Sequence, residues 1–175
     1  MKHIYIIISS LLTALILSCS ESSVDAEATM ITLSELKTSP GFEWFMPEYN
    51  AYTPDETIAG QIEQSYNQAE NKFFVFANPS CACQGTQKLF PSIVKSLTEA
   101  GIDEPNFELY SIPTSSTDHP YERWFKLNTI PAAFTMKING TDTSFYSIVD
   151  TMNAALDINP DTTDKIEHFI LYSLQ

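Results

Sequence analysis

Cysteine, glycine and positive charge are all scarce in this chain. Its 175 residues include three cysteines, five glycines, and 9 lysines and arginines against 22 acidic residues. So few cysteines exclude a small fold that is held together by several disulfides, and the fold must instead depend on a hydrophobic core. The formal net charge of −13 argues against electrostatic binding to nucleic acid or to an anionic membrane surface.

Several site signatures are also absent. The sequence has no glycine-rich phosphate loop, no paired catalytic carboxylates and no zinc-ligand spacing, so we expect no resident cofactor or metal. The apolar run at residues 4–17 is too short to span a membrane, and its basic start and abrupt end are typical of a secretory signal. Residues 1–18 are therefore predicted to be a signal peptide.

A cysteine stands where this signal should be cut. Cys19 follows Ile16-Leu17-Ser18, an order that resembles the lipobox of bacterial lipoproteins. In that family the signal peptidase cuts before the cysteine, whose thiol carries diacylglycerol. The resemblance implies lipidation at Cys19 and a position in the cell envelope, facing the periplasm or the cell surface. The alternative for Cys19 is a free or disulfide-bonded thiol.

The rest of the chain divides into a polar segment and an aromatic-rich domain. The segment after Cys19 is polar and acidic with little apolar periodicity. Such a composition favours a solvated linker, and we predict a flexible tether over residues 19–40. The remaining residues 41–175 are enough for a single domain.

Apolar periodicity predicts the order α-β-α-β-α-β-β-α within this domain. The predicted elements are a helix from about 54 to 69, a strand at 73–77, a helix that ends at Gly101, a strand at 107–112, a short helix from Asp118 through Phe125, strands at 132–138 and 143–149, and a last helix that contains Ile166 and Leu174. Asn139-Gly140 is a strong hairpin signal between the last two strands.

Two cysteines lie between the first strand and the second helix. Cys81 and Cys83 are separated by one residue. The helix dipole and the free N–H groups at a helix start favour a thiolate, which is the nucleophile of disulfide exchange. Side chains at positions i and i+2 diverge unless the backbone bends, so a bond between these cysteines should be strained and therefore oxidising.

The order of elements, the strand-cysteine-helix junction and Thr129-Ile130-Pro131 together resemble the thioredoxin family. Over about residues 53–175 the resemblance implies a thioredoxin-like α/β fold, with a central mixed sheet and helices on both faces. It also implies a cis Ile130–Pro131 bond opposite the thiols, and peptide binding by the backbone of Thr129, Ile130 and Pro131. The aromatic leader at Trp44-Phe45 is similar to one in thioredoxin-like proteins of Bacteroidetes-type bacteria.

The cysteine motif departs from the pattern of that family. The usual site is Trp-Cys-x-x-Cys, whereas this chain has Ser80-Cys81-Ala82-Cys83. Counting from the strand places Cys83 at the second family cysteine. Counting back from Pro91, which resembles the kink proline of the family, places Cys83 at the first cysteine and Thr86 at the second. No acidic residue occupies the strand position where the family has a buried carboxylate.

The function indicated is that of an extracytoplasmic thiol-disulfide oxidoreductase, an oxidant or an isomerase, which acts as a monomer on the thiols of exported proteins. The helix dipole favours Cys83 as the attacking thiol, whereas the sequence order of the family favours Cys81. Both orders remain open at this point.

Three alternatives compete with the redox function. In the first alternative the pair is an inert structural disulfide, although a bridge between i and i+2 closes almost no loop and gains little entropy. Two thiolates also suit Cu(I), but such a site needs a third ligand, for which His119 and His168 are the candidates. In the third alternative the domain is a thioredoxin-like binding module, and its thiols are incidental.

Overall fold

The computed structural model describes residues 27–81 and 83–175. The predicted signal peptide, Cys19 and the first part of the predicted tether lie outside these residues. The described chain is a mixed α/β structure, in which helices flank a five-stranded mixed sheet. In this part of the chain, no helix has both the length and the apolar character that crossing a membrane requires.

The elements follow one another in the order β1-α1-α2-α3-β2-α4-β3-β4-β5-α5-α6. The strands are β1 (Thr29–Ile31), β2 (Asn71–Ala77), β3 (Phe107–Ser111), β4 (Ala132–Asn139) and β5 (Asp142–Ser147). The helices are α1 (Leu33–Leu36), α2 (Phe45–Ala51), α3 (Glu56–Ser65), α4 (Gln84–Glu99), α5 (Ile148–Ile158) and α6 (Ile166–Leu174).

Strand β2 lies at the centre of the sheet. The strand order is β1-β3-β2-β4-β5, in which β2 and β3 are parallel and the other three pairs are antiparallel. The predicted parallel pair and the predicted antiparallel hairpin are both confirmed. Gly140 has a φ of 63° at the hairpin turn, a conformation that glycine adopts without strain.

The side chains of β2 alternate between two apolar clusters. Phe73 and Val75 belong to a cluster that every described helix helps to build, with α4 contributing Phe90, Ile93, Val94 and Leu97. Phe74 and Phe76 belong to a second cluster, which contains no helical residue among those described. The central strand is therefore buried on both faces, but helices cover only one of them.

The connection between β3 and β4 covers the second face. We expected a helix from Asp118 through Phe125, but the structure has turns there, in which the N–H groups of Trp124 and Phe125 both donate to the carbonyl of Tyr121. Stacked aromatic rings supply the apolar area instead. The ring of Phe125 lies 4.0 Å from that of Phe134, and the ring of Tyr121 lies 4.2 Å from that of Phe74. The expectation of helices on both faces is therefore wrong for the described chain.

The predicted tether contains two structured elements. Strand β1 pairs with β3, and α1 begins with a capping box in which Thr32 and Glu35 exchange hydrogen bonds. The N–H of Leu33 donates to Glu104, and Leu36 is 1% exposed within the first cluster. The domain boundary predicted at residue 41 is therefore wrong, because Thr29 already belongs to the sheet. Thr-x-x-Glu before an apolar residue was the sequence signal for this helix.

The last strand is shorter than predicted and leads directly into an unpredicted helix. Strand β5 ends at Ser147, whose hydroxyl accepts the N–H of Asp150 and caps α5. Ile148 and Val149, which we placed on the strand, are buried residues of the first turn of α5. The β-branched side chains at these positions favoured a strand in the sequence, but the serine cap starts a helix.

The burial of Leu36 predicts that the segment before residue 41 contributes to stability. Replacing Leu36 with alanine should lower the free energy of unfolding by about 3 kcal/mol, because it removes a fully buried side chain. Urea unfolding measures this change. The matched control is Met30→Ala, since Met30 is 60% exposed and its loss should cost little. If both variants lowered the free energy of unfolding by the same small amount, a flexible tether would be the better description of this segment.

Candidate functional site

The loop after β2 carries Cys81 at the carboxyl end of the central strand. Asn78 orders this loop, because its Oδ1 accepts the N–H of Ser80 at 2.8 Å and its Nδ2 donates to the carbonyl of Pro113 at 2.6 Å. The backbone carbonyl of Asn78 also accepts the N–H of Cys81 at 3.2 Å. The loop is thus tied both to itself and to the residues that follow β3.

The aromatic leader supports the same loop from outside. Gly41 has a φ of 89°, and a Cβ at this position would lie 3.1 Å from the Cβ of Pro79. The indole Nε1 of Trp44 lies 3.5 Å from the carbonyl oxygen of Pro79, and its ring packs 6.2 Å from that of Phe90. A side chain at position 41 would therefore press on the residues just before the cysteines.

Cys81 and Cys83 form a disulfide, with 5.3 Å between their Cα atoms. Cys83 is exposed and Cys81 is half-buried. The N–H of Cys83 donates to Sγ of Cys81 at 3.4 Å, and the carboxamide of Gln87 donates to the carbonyl of Cys81 at 3.3 Å. The structure therefore brings both predicted catalytic residues together in one bond that solvent can reach.

Cys83 is the N-cap residue of α4. Its φ of −75° and ψ of 123° are extended, its carbonyl accepts the N–H of Gln87, and no side chain caps the helix at this position. The first turn of α4 contains no acidic residue. The positive end of the helix dipole is therefore available to a negative charge that forms on a sulfur here.

Thr86 connects Cys83 to the loop that precedes β4. Its hydroxyl oxygen lies 2.8 Å from Sγ of Cys83 and 3.2 Å from the carbonyl oxygen of Ile130. The Ile130–Pro131 bond is cis. Of the predicted peptide-binding residues, Thr129 is exposed, Ile130 is half-buried and Pro131 is buried. Thr86 and Ile130 are 44 residues apart in the sequence. The hydroxyl group of Thr86 thus connects Cys83 to the loop that precedes β4.

Sequence reasoning did not recognise the role of Thr86. Counting back from Pro91 placed Thr86 at a family cysteine position, three residues after Cys83, but gave its side chain no function. The spacing was a usable signal, because residues i and i+3 share one face of a helical turn. The partner on the other side, the carbonyl of Ile130, had no local signal.

His119 packs against aromatic rings of the second apolar cluster, namely those of Phe76 and Phe125. Its ring stacks 5.2 Å from that of Phe125, and its Nδ1 accepts the N–H of Tyr121 at 3.3 Å. Burial lowers the pKa of His119, and the nearby charges of Glu122 and Asp118 oppose this shift.

His168 is also committed to a structural contact. It lies in the first turn of α6, where its Nδ1 accepts the N–H of Lys165 at 3.1 Å. Within residues 27–81 and 83–175, no three side chains of His, Cys, Asp or Glu are grouped so that they could hold a metal ion. In the described chain, neither candidate histidine therefore joins the cysteines in a group that could hold a metal ion.

A fully buried carboxylate comes from α6 and not from the sheet. Glu167 is 0% exposed, and its oxygens accept the hydroxyl of Tyr52 and the N–H of Asp55. Burial and the bond to Glu167 raise the pKa of Tyr52 well above its usual range. Glu167 thereby joins α6 to the start of α3, where Asp55 is the N-cap residue.

The burial of His119 predicts a pH dependence of stability. Since its pKa is lower in the folded protein, the unfolded chain takes up a proton more readily below about pH 6.5, and the free energy of unfolding should fall as the pH decreases. Urea unfolding of the wild type and of His119→Gln measures this between about pH 8 and about pH 5.5. The variant should lose less stability over that interval. Parallel losses in the two proteins would contradict the prediction.

We compared the chain with family models, with curated proteins and with solved structures. None of the three comparisons gives a match. The function proposed below therefore rests on the contacts of the described residues and on the chemistry of their side chains.

Proposed function

We propose that this protein is a thiol-disulfide oxidoreductase of the cell envelope, which exchanges the Cys81–Cys83 disulfide with thiols of exported proteins as an oxidant or an isomerase. The observation that carries the proposal is the position of the disulfide. It lies at the start of α4, with Cys83 exposed and with the hydroxyl of Thr86 beside its sulfur. A client thiolate can reach this bond from solvent.

A thioredoxin-like arrangement is part of the proposal. The five-stranded mixed sheet, the parallel β2–β3 pair and the β4–β5 hairpin support it. The contact between Ile130 and Thr86 also supports it, because Thr86 lies beside Cys83 and Ile130 belongs to the loop for which we propose peptide binding. The helix-free second face is a departure from the pattern that we expected, and Ile130 itself packs against the apolar cluster on that face.

The overall reaction transfers two electrons. A client with two thiols gives up two electrons and two protons and gains a disulfide. The Cys81–Cys83 disulfide accepts the two electrons and two protons and becomes two thiols. A second disulfide-containing molecule, such as oxidised glutathione in an assay, restores the Cys81–Cys83 bond by the reverse exchange.

The contacts of the sulfurs favour exchange over an inert bridge. Structural disulfides stabilise a fold mainly by closing long loops, and this bond encloses one residue. In the disulfide, the N–H of Cys83 lies beside Sγ of Cys81 and the hydroxyl of Thr86 lies beside Sγ of Cys83, so each sulfur has a donor within reach when it becomes a thiolate. Groups that stabilise the reduced form make a disulfide more oxidising.

Equilibration with glutathione tests the redox function. The Cys81–Cys83 disulfide should be half-reduced at a potential clearly less negative than about −300 mV, the range of stable structural bridges. Thiol labelling followed by mass spectrometry measures the reduced fraction. The matched control is the double variant Cys81→Ser, Cys83→Ser, which should neither titrate nor oxidise a reduced client peptide. A midpoint near or below about −300 mV would refute the oxidant and isomerase functions.

Lipid anchoring at Cys19 remains a proposal about residues outside those described. The acyl chains would bind the membrane with about 0.8 kcal/mol per buried methylene, which far exceeds any contribution of an acidic domain. Cys19 precedes Thr29 of β1 by ten positions. Ten residues span at most about 36 Å when fully extended. The disulfide would thus act on clients close to the membrane.

Replacing Cys19 with serine tests this placement. The wild type should fractionate with membranes and carry acyl mass at its mature N-terminus, whereas Cys19→Ser should be released or mislocalised. Cell fractionation and mass spectrometry of the N-terminal peptide measure both properties. Glutathione exchange at Cys81 and Cys83 should be the same in both proteins. A wild-type protein that is soluble and free of acyl mass would contradict the placement.

A further inference from the structure

We propose that Thr86 makes Cys83 the sulfur that forms the mixed disulfide with a client, and that Cys81 is the first leaving group. This inference rests on the proposed function, and it assigns a role to each sulfur. Thr86 acts through Cys83 and is therefore a positioning residue. The assignment reverses the sequence order of the thioredoxin family, in which the first cysteine attacks.

The position of the Thr86 hydroxyl is fixed by its surroundings. Thr86 is 1% exposed and lies in the first turn of α4, three residues after Cys83. Its side chain is β-branched and therefore has few rotamers in a helix. The hydroxyl oxygen is held between Sγ of Cys83 at 2.8 Å and the carbonyl oxygen of Ile130 at 3.2 Å.

One hydroxyl proton serves these two acceptors in turn. In the disulfide, Sγ of Cys83 carries no hydrogen and no charge, so the hydroxyl of Thr86 donates to the carbonyl of Ile130. When Cys83 becomes a thiolate, its sulfur is the stronger acceptor, because hydrogen bonds to a charged atom are roughly twice as strong as neutral ones. The hydroxyl then donates to the sulfur, without any movement of the buried side chain beyond a rotation of the O–H bond.

The two sulfurs differ in access and in donors. The residue Cys83 is exposed, whereas Cys81 is half-buried, and this difference favours attack of a client thiolate at Cys83. The N–H of Cys83 donates to Sγ of Cys81 at 3.4 Å, and this donor is in place for the charge that forms when Cys81 leaves. Each sulfur thus has a donor for the step in which it departs.

The exchange takes place in two steps. In the first, a client thiolate attacks Sγ of Cys83, a bond forms between these sulfurs, and the bond to Cys81 breaks as Cys81 leaves with the electron pair. In the second, another client thiolate attacks the client sulfur of the mixed disulfide. Cys83 then leaves as a thiolate, and its sulfur accepts a hydrogen bond from the hydroxyl of Thr86. The client is oxidised, and each protein thiolate takes up a proton from solvent.

Charged groups on the surrounding elements do not replace this hydroxyl. They are Lys88 on α4, Glu43 beside the segment that packs on Pro79, Lys126 before the cis bond, and Asp150 on α5, whose carboxylate accepts the carboxamide of Asn128. In the described chain, none of these charged side chains is hydrogen-bonded to Cys81 or Cys83. The hydroxyl is therefore the side-chain donor that distinguishes Cys83 from Cys81.

The first experiment measures the acidity of Cys83 alone. In a Cys19→Ser, Cys81→Ser background, Cys83 is the single thiol of the chain. Its alkylation rate is followed against pH together with the ultraviolet absorbance of the thiolate. Thr86→Val keeps the shape and removes the hydroxyl, so the midpoint should rise by about one pH unit. Thr86→Ser keeps the hydroxyl and should retain the original midpoint. Thermal unfolding confirms that each variant is folded.

The second experiment locates the mixed disulfide. The oxidised wild-type protein is mixed with a monothiol peptide, quenched in acid and digested, and mass spectrometry identifies the cysteine that carries the peptide. The peptide should be found on Cys83. A peptide found on Cys81, or equal midpoints for Thr86→Val and Thr86→Ser, would overturn this inference while the proposed function stands. Failure of either cysteine to form a mixed disulfide would overturn the proposed function itself, and this inference with it.

Discussion

The burial of β2 on both faces is the constraint on which the rest of the structure depends. Phe73 and Val75 pack under the helices, while Phe74 and Phe76 pack under aromatic rings from the connection between β3 and β4. Each such side chain contributes roughly 1.5–3 kcal/mol when it leaves water. Since the loop that begins at Asn78 continues this strand, the same burial holds Cys81 at the end of the sheet. The proposed redox site is therefore a direct extension of the core.

The loop that carries the disulfide is held by contacts with other segments, whereas the disulfide itself is accessible to solvent. Three segments that are distant in sequence support it, namely the leader at Gly41 and Trp44, the loop that Asn78 ties to Pro113, and the carbonyl of Ile130. These contacts leave Cys83 of the disulfide exposed. Such an arrangement would suit the proposed exchange with protein thiols, because the loop that carries the disulfide is held in place while Cys83 stays exposed. The hydroxyl of Thr86 adds a donor that becomes important only when charge forms on sulfur.

Elements defined by local signals were predictable from the sequence. The apolar run of β2, the Asn139-Gly140 turn, and the stripe and glycine stop of α4 each depend on residues that are neighbours in the chain. Elements defined by distant partners were missed. Strand β1 is three residues long and exists because β3 pairs with it. Helix α1 did have a local signal, its capping box, but the burial of Leu36 that holds it against the domain depends on distant residues. The expected helix at Asp118 was replaced by turns, because stacking of its rings on the sheet outweighed local helical preference.

The candidate site shows the same division between local and distant information. By itself the sequence determined that two thiols, one residue apart, stand between a buried strand and the start of a helix, since strand, cysteines and helix cap are contiguous. Only the tertiary structure decided which groups surround each sulfur. The contact between Thr86 and Ile130 joins residues 44 positions apart, and it forms because β4 pairs with β2 and brings the loop before it to the start of α4. No local pattern encodes that approach, because it follows from how separate elements pack.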